Sequence, residues 1–140
     1  MGRTVSREAM MNRALLMLGI MLLTAAPAAA GVSVFACEPE WAALAQEVGG
    51  DLVDVHSATT AQQDPHRIQA RPSLIVRMRK AELVVCTGAG LEAGWLPMLL
   101  RRANNPRVQP GQAGYLEAET AVALLDRPSR LYRAEGDIHL

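Results

Sequence analysis

The 140-residue sequence predicts an α/β fold in which βαβ units build a parallel sheet. Three short runs rich in apolar and β-branched residues, at 32–37, 52–56 and 83–86, have the composition of strands. Helical patterns separate these runs, and a further one follows the third run. This alternation predicts three parallel strands in the spatial order 2-1-3, covered by helices on both faces.

Residues 1–30 are predicted to be a secretory signal peptide and do not belong to the fold. Arg3, Arg7 and Arg13 form a basic segment, residues 14–26 are an apolar run of 13, and small residues up to Ala30 suit a cleavage site. A membrane span needs about 20 apolar residues, so this run is too short for an anchor. We therefore expect a mature chain of residues 31–140 in the periplasm, where disulfides are permitted.

Proline, glycine and asparagine set the limits of the predicted helices. The first begins at Pro39 and ends at residues 49–50, the second begins at Pro72, and the third covers residues 91–103. Residues 117–125 are predicted to form a short fourth helix. The apolar faces of the first two helices are, respectively, Trp41, Leu44, Ala45 and Val48, and Ile75, Val76, Met78 and Ala81.

Ligands of open α/β sheets bind beyond the carboxyl ends of the strands, which here carry the loops 37–40, 63–66 and 87–92. Within the second loop, His66 is the candidate metal ligand, since neutral imidazole suits zinc and other late first-row metals. Asp64 could orient its ring. The alternative is a surface histidine in a turn. His56 is interpreted as structural, and His139 as a solvated side chain near the end of the sequence.

Two other features of these loops leave alternatives open. Cys37 and Cys86 end the first and third strands, which are neighbours in the order 2-1-3. Two buried thiols are the favoured interpretation, and a disulfide is the alternative in an oxidising compartment. The segment Gly88-Ala89-Gly90 could hold a phosphate, but it lacks the dinucleotide-binding spacing and the P-loop lysine.

Composition and motifs exclude several functions. Fourteen basic and fourteen acidic residues give a formal charge of zero, and aromatic residues are only 4%, so nucleic acid is not an expected partner. The sequence contains no G-x-S-x-G, C-x-x-C or H-E-x-x-H motif. We therefore expect a binding protein and not an enzyme, with a periplasmic enzyme that uses Cys37 or His66 as the alternative.

Three ordered segments resemble the periplasmic zinc/manganese solute-binding proteins of ABC transporters. They are residues 34–41 (VFACEPEW), 63–73 (QDPHRIQARPS) and 81–96 (AELVVCTGAGLEAGWL). The resemblance implies two α/β lobes bridged by a long helix, with Zn²⁺ or Mn²⁺ held between them by three histidines and an acidic residue. The histidine of Asp-Pro-His, which matches His66, would be the first of those ligands.

The resemblance also implies that residues 31–140 are only the N-terminal lobe of such a protein. The family's second ligand motif would lie just beyond Leu140, and His139 matches no family ligand. The implied partners are a divalent metal ion and the membrane permease of an ABC importer, and the implied state is a monomer. The alternative is a fragment without independent activity. Without the bridging helix, the lobe is expected to expose an apolar surface.

Overall fold

The computed structural model describes residues 31–124, which form a four-stranded, fully parallel sheet with helices packed against it. The strands are β1 (Val32–Ala36), β2 (Val53–Ser57), β3 (Leu83–Cys86) and β4 (Tyr115–Glu117), in the spatial order β2-β1-β3-β4. The predicted signal peptide and His139 lie outside the described residues. Within residues 31–124, no helix has the length and apolar content needed to cross a membrane.

The predicted parallel order 2-1-3 is confirmed. The first strand pairs with both neighbours, and Val34 lies opposite Val55 of β2 on one side and Leu83 of β3 on the other. The central strands are buried at their carboxyl ends, where Phe35, Ala36, Val84 and Cys86 are 1% exposed or less. Because these strands are covered on both faces, their sequences are continuous apolar runs and do not alternate with polar residues.

The sequence did not predict the fourth strand. Residues 115–117 pair in parallel with β3, and residues 118–121 form a 3₁₀ turn, so the helix predicted over 117–125 is wrong across its described part. Gly114 leads into this strand, and a Cβ there would lie 2.5 Å from the carbonyl oxygen of Glu82, the residue just before β3. Glycine therefore lets the chain run close enough to β3 for the Val84 N–H to donate to the Gly114 carbonyl at 2.8 Å.

Among the described residues, three α-helices flank the sheet: α1 (Pro39–Gly49), α2 (Pro72–Lys80) and α3 (Leu96–Ala103). The third begins five residues later than predicted, because residues 89–95 form turns. Its start at Leu96 puts Pro97 in the first turn, where a missing N–H is tolerated. At its end, Asn104 adopts the left-handed conformation (φ 50°) that terminates helices.

The core lies between the sheet and the pair α2 and α3, which pack on each other. On α2 the buried residues are Leu74 and Met78, while Val76, predicted to face the core, is 49% exposed. No residue of α1 is buried: Leu44 is 50% exposed and Val48 81%. Two apolar side chains of α1 are therefore exposed, and the apolar surface expected from the absence of a bridging helix stays a prediction.

A buried asparagine joins α2 to the segment after α3. The Asn105 side-chain amide donates to the carbonyls of Met78 (3.0 Å) and Ala81 (2.7 Å), which lie at the carboxyl end of α2. Its Oδ1 accepts from the Arg107 N–H at 3.1 Å. One side chain thereby hydrogen-bonds three backbone groups, two of them carbonyls at the carboxyl end of α2.

Replacing this asparagine should destabilise the fold. Asn105→Ala is expected to lower the free energy of unfolding by about 1–3 kcal/mol, because two helix-end carbonyls lose their donor. Urea denaturation followed by circular dichroism measures the change. The control Gln112→Ala, at an exposed turn residue, should stay within about 0.5 kcal/mol of the parent. Equal stability of both variants would contradict this role for Asn105.

Candidate metal site at the carboxyl ends of the strands

The three loops predicted to carry chemistry do lie at one edge of the sheet. Because β1, β2 and β3 are parallel, the loops after Ala36, Ser57 and Cys86 all leave from their carboxyl ends. Hydrogen bonds join the first loop to the other two. The Thr59 hydroxyl donates to the Cys37 carbonyl at 2.9 Å, and the Thr87 hydroxyl donates to Glu38 Oε2 at 3.1 Å.

His66 lies in a 3₁₀ turn, residues 65–67, and its neighbour Asp64 holds it there. Asp64 Oδ1 accepts from the His66 backbone N–H at 3.0 Å and lies 2.9 Å from Nδ1 of the imidazole. Arg67 Nε lies 3.2 Å from the other carboxylate oxygen. These hydrogen bonds from His66 hold the pKa of Asp64 below its usual range. The carboxylate therefore stays charged and orients the ring, as the sequence predicts.

A buried tryptophan fixes the backbone of the same turn. Trp95, which is 1% exposed, donates from Nε1 to the Pro65 carbonyl at 2.7 Å. A Cβ at Gly94 would lie 3.0 Å from the His66 carbonyl oxygen, so this loop also packs closely on the histidine backbone. The loop after β3 thereby positions His66, although Trp95 is distant in sequence.

Cys37 and Cys86 form a disulfide between the adjacent ends of β1 and β3. Their Cα atoms are 4.8 Å apart, and both side chains are fully buried. The favoured interpretation of two free thiols is therefore wrong, and the alternative is correct. The parallel pairing of β1 with β3 brings the two residues into bonding range.

Two glutamates that sequence analysis did not single out are buried beside this disulfide. Glu38 and Glu92 are each 3% exposed. Glu92 accepts from the N–H groups of Thr87 (2.8 Å) and Gly88 (3.1 Å), while Glu38 Oε2 accepts from the Thr87 hydroxyl. Trp41 Nε1 donates to that same hydroxyl at 2.8 Å. Thr87 therefore links both carboxyl groups to α1.

The pKa of Glu38 is raised to about 8, first by burial and then by the nearby charge of Glu92. Burial also raises the pKa of Glu92. The Oε1 atom of Glu38 is buried and has no hydrogen-bond partner among residues 31–124. The pair accordingly keeps a proton at neutral pH, because ionising both of two adjacent buried carboxyl groups has a high free-energy cost.

The Gly88–Gly90 segment does not provide a phosphate site. All three residues have positive φ, including Ala89 at 54°. The N–H of Gly88, together with that of Thr87, points at the carboxylate of Glu92. An anion from the chain itself therefore occupies the position that a phosphate would need.

His56 is a structural residue, as interpreted from the sequence. It lies in β2 with its ring 6.0 Å from that of Phe35, and its Nε2 is buried without a hydrogen-bond partner in the described part of the chain. Burial, reinforced by the charge of Arg77, lowers the pKa of His56. This strand histidine therefore stays neutral and packs in the sheet.

A cavity of about 460 Å³ borders the same edge of the sheet. Its apolar wall comes mainly from α3, and its polar lining includes Glu92, Tyr115 and Glu117. The Tyr115 hydroxyl donates to Glu117 at 2.8 Å, and burial raises the pKa of Tyr115. The cavity thus connects one of the two buried glutamates to the surface of α3.

The structure shows a parallel α/β fold with the His66 turn at the carboxyl edge of its sheet, and a family comparison assigns the chain to a family. The model of the family described as "Zinc-uptake complex component A periplasmic" matches residues 34–139. The chain therefore belongs to that family.

Individual relatives are similar over shorter stretches. The metal ABC transporter substrate-binding lipoprotein SsaB of Streptococcus sanguinis and the manganese ABC transporter substrate-binding lipoprotein PsaA of Streptococcus pneumoniae are each 30% identical over 64 residues. Each match covers 44% of this chain and 21% of the relative. The chain therefore spans about a fifth of the length of these curated relatives.

Two solved structures resemble this fold. A ZnuA crystal structure is 28% identical to this chain, with a TM-score of 0.49. The match covers 54% of this chain and 28% of the ZnuA chain. A zinc-bound ZnuA deletion mutant is also 28% identical, with a TM-score of 0.50, and covers 54% of this chain and 29% of that one.

The glutamate pair makes a prediction about pH. A carboxyl group whose pKa rises from 4.5 to about 8 on folding contributes stability below pH 4.5, and that contribution is lost as pH rises toward 8. Glu38→Gln keeps the shape of the neutral carboxyl group but cannot ionise. The free energy of unfolding of this variant should therefore fall less steeply than that of the parent over this range. At pH 8 we expect the variant to exceed the parent by about 1 kcal/mol, a shift in Tm of roughly 4–8 °C.

Thermal denaturation of the oxidised chain between pH 5 and pH 9 measures this slope. The matched control Glu40→Gln changes an exposed glutamate in the first turn of α1 and should leave the slope of the parent intact. Identical slopes for the parent and Glu38→Gln would contradict the shared-proton interpretation.

Proposed function

We propose that this chain is the N-terminal lobe of a periplasmic solute-binding protein that captures a divalent transition metal, zinc or manganese, for an ABC importer. The observation that carries the proposal is the position of His66, held by Asp64 at the carboxyl edge of a parallel sheet. Support for the metal comes from similar proteins, which include a manganese ABC transporter substrate-binding lipoprotein and a zinc-bound ZnuA deletion mutant.

The geometry of the turn suits a metal ligand. A histidine that binds a metal through one ring nitrogen commonly donates from the other to a carboxylate, which fixes the tautomer and the ring orientation. In this chain Nδ1 faces Asp64, so Nε2 would be the ligating atom. The buried Trp95 indole and the close approach of Gly94 hold the backbone beneath the ring.

The chain would contribute only part of the site. In the described part of the chain, no group of three ligand side chains includes His66. Zinc sites that hold their metal tightly use three or four protein ligands. We therefore propose that further ligands come from a second lobe, and that residues 31–140 act as one half of a receptor which docks on a membrane permease.

The proposal assigns the chain a binding role and no catalytic role. The family description, zinc-uptake complex component A periplasmic, supports a binding role in that compartment. Residues 1–30 would direct export to that compartment, and a single copy of the chain would suffice for docking on the permease. Delivery of the ion then requires release, which a site shared between two lobes allows when the lobes separate.

Metal titration of the oxidised chain tests the role of His66. We expect zinc binding in the micromolar range or weaker, on the order of −8 kcal/mol or less favourable, since one imidazole replaces a full ligand set. Isothermal titration calorimetry should show that His66→Ala removes this binding. The control His56→Ala changes a histidine of the sheet and should leave it unchanged. Equal losses in both variants would mean that His66 is not the ligand.

Asp64 should act through the ring that it orients. Asp64→Asn keeps the shape of the side chain but weakens its hydrogen bond with Nδ1, so we expect zinc affinity to fall by roughly tenfold, less than for His66→Ala. The control Asp54→Asn makes the same change at an exposed position of β2. If Asp64→Asn binds zinc like the parent, the carboxylate does not position the imidazole.

A further inference from the structure

We propose a second metal site, separate from His66, that forms when the Cys37–Cys86 disulfide is reduced. Its ligands would be the two thiolates and the carboxylate of Glu92, and its ion would be a thiophilic divalent cation such as Zn²⁺. The proposal does not depend on the function proposed above, because it uses none of the residues of the His66 turn.

The first support is the geometry of the cluster. The two sulfur atoms and a carboxylate oxygen of Glu92 all lie within 4.8 Å of one another, and all three residues are buried. In a tetrahedral zinc site, bonds of about 2.3 Å to sulfur and 2.0–2.2 Å to oxygen place the ligand atoms roughly 3.5–4 Å apart. Side-chain rotation after reduction suffices to reach that spacing.

The second support is a buried oxygen atom that lacks a partner. Oε1 of Glu38 is inaccessible to solvent and accepts no hydrogen bond from residues 31–124. The other oxygen of Glu38 accepts from the Thr87 hydroxyl, and the proposed ligand Glu92 accepts from the Thr87 N–H, so the two carboxyl groups lie on either side of Thr87. A cation bound to Glu92 would place positive charge near this buried, unpartnered oxygen.

The third support is a route for the ion. The disulfide itself is buried, but Glu92 and Gly88 line the cavity of about 460 Å³ beside α3. Glu117 lines the same cavity, and its carboxylate adds negative charge to the path. A cation would therefore reach Glu92 first and the sulfur atoms behind it second.

The proposed site forms in two steps, reduction of the disulfide and then binding of the ion. A dithiol reductant transfers two electrons and two protons to the disulfide, so that the S–S bond breaks, Cys37 and Cys86 become thiols, and the reductant becomes a disulfide. One Zn²⁺ then displaces two protons from the thiols as it binds. Thiolate ligands favour Zn²⁺ over Mn²⁺, so the site would select against manganese.

Cobalt(II) provides the test, because thiolate ligation gives it intense sulfur-to-metal absorption. The purified full chain is reduced with dithiothreitol, desalted without oxygen and titrated with Co²⁺. We expect the absorption to saturate at one ion per reduced chain and to be absent from the oxidised chain. His66→Ala should retain the full signal, which separates this site from the proposed function. Cys37→Ser and Cys86→Ser should each remove it.

Two further measurements do not depend on cysteine variants that could fail to fold. Glu92→Gln should weaken cobalt binding at least about tenfold, whereas Glu119→Gln, at another acidic residue beside Gly88, should leave it unchanged. In the parent chain, Zn²⁺ but not Mn²⁺ should protect both reduced cysteines from alkylation. Loss of the circular dichroism spectrum on reduction, or a reduced chain without sulfur-to-cobalt absorption, would overturn the proposal.

Discussion

The parallel pairing of β1 with β3 is the constraint on which the rest of this fold depends. A parallel pair requires a crossover connection, and here two successive crossovers place β1 between β2 and β3. That order aligns the ends of the strands, so that residues far apart in sequence become neighbours. Cys37 meets Cys86, and Glu38 meets Thr87, only because these two strands are adjacent.

Burying two carboxyl groups next to a disulfide is unfavourable unless other groups compensate. The N–H groups of Thr87 and Gly88 provide part of that compensation, and a retained proton provides the rest. The same hydrogen bonds hold the loop after β3 in its left-handed conformation. Since this loop continues to Trp95, which contacts the backbone before His66, the acidic pair and the histidine turn belong to one connected structure.

The sequence alone predicts most of this fold and the turn that carries the candidate ligand His66. The apolar runs and the helices between them predict the order of the first three strands. The motif Asp64-Pro65-His66 predicts a turn in which the carboxylate of Asp64 orients the imidazole. Strand β4 has only three residues, too few for a pattern, and its pairing depends on the close approach at Gly114. Burial of Glu38 could not be predicted, since charged residues beside a helix start are usually solvated.

In the proposed function, the hydrogen bond from Trp95 to Pro65 would affect how quickly an ion is captured. Because the indole already anchors the turn, the imidazole occupies its position before any ion arrives, and little conformational entropy is lost on binding. A preorganised first contact allows association without a preceding loop rearrangement. Capture speed would then be a property of this lobe alone, whereas the lifetime of the bound ion would depend on ligands supplied from elsewhere.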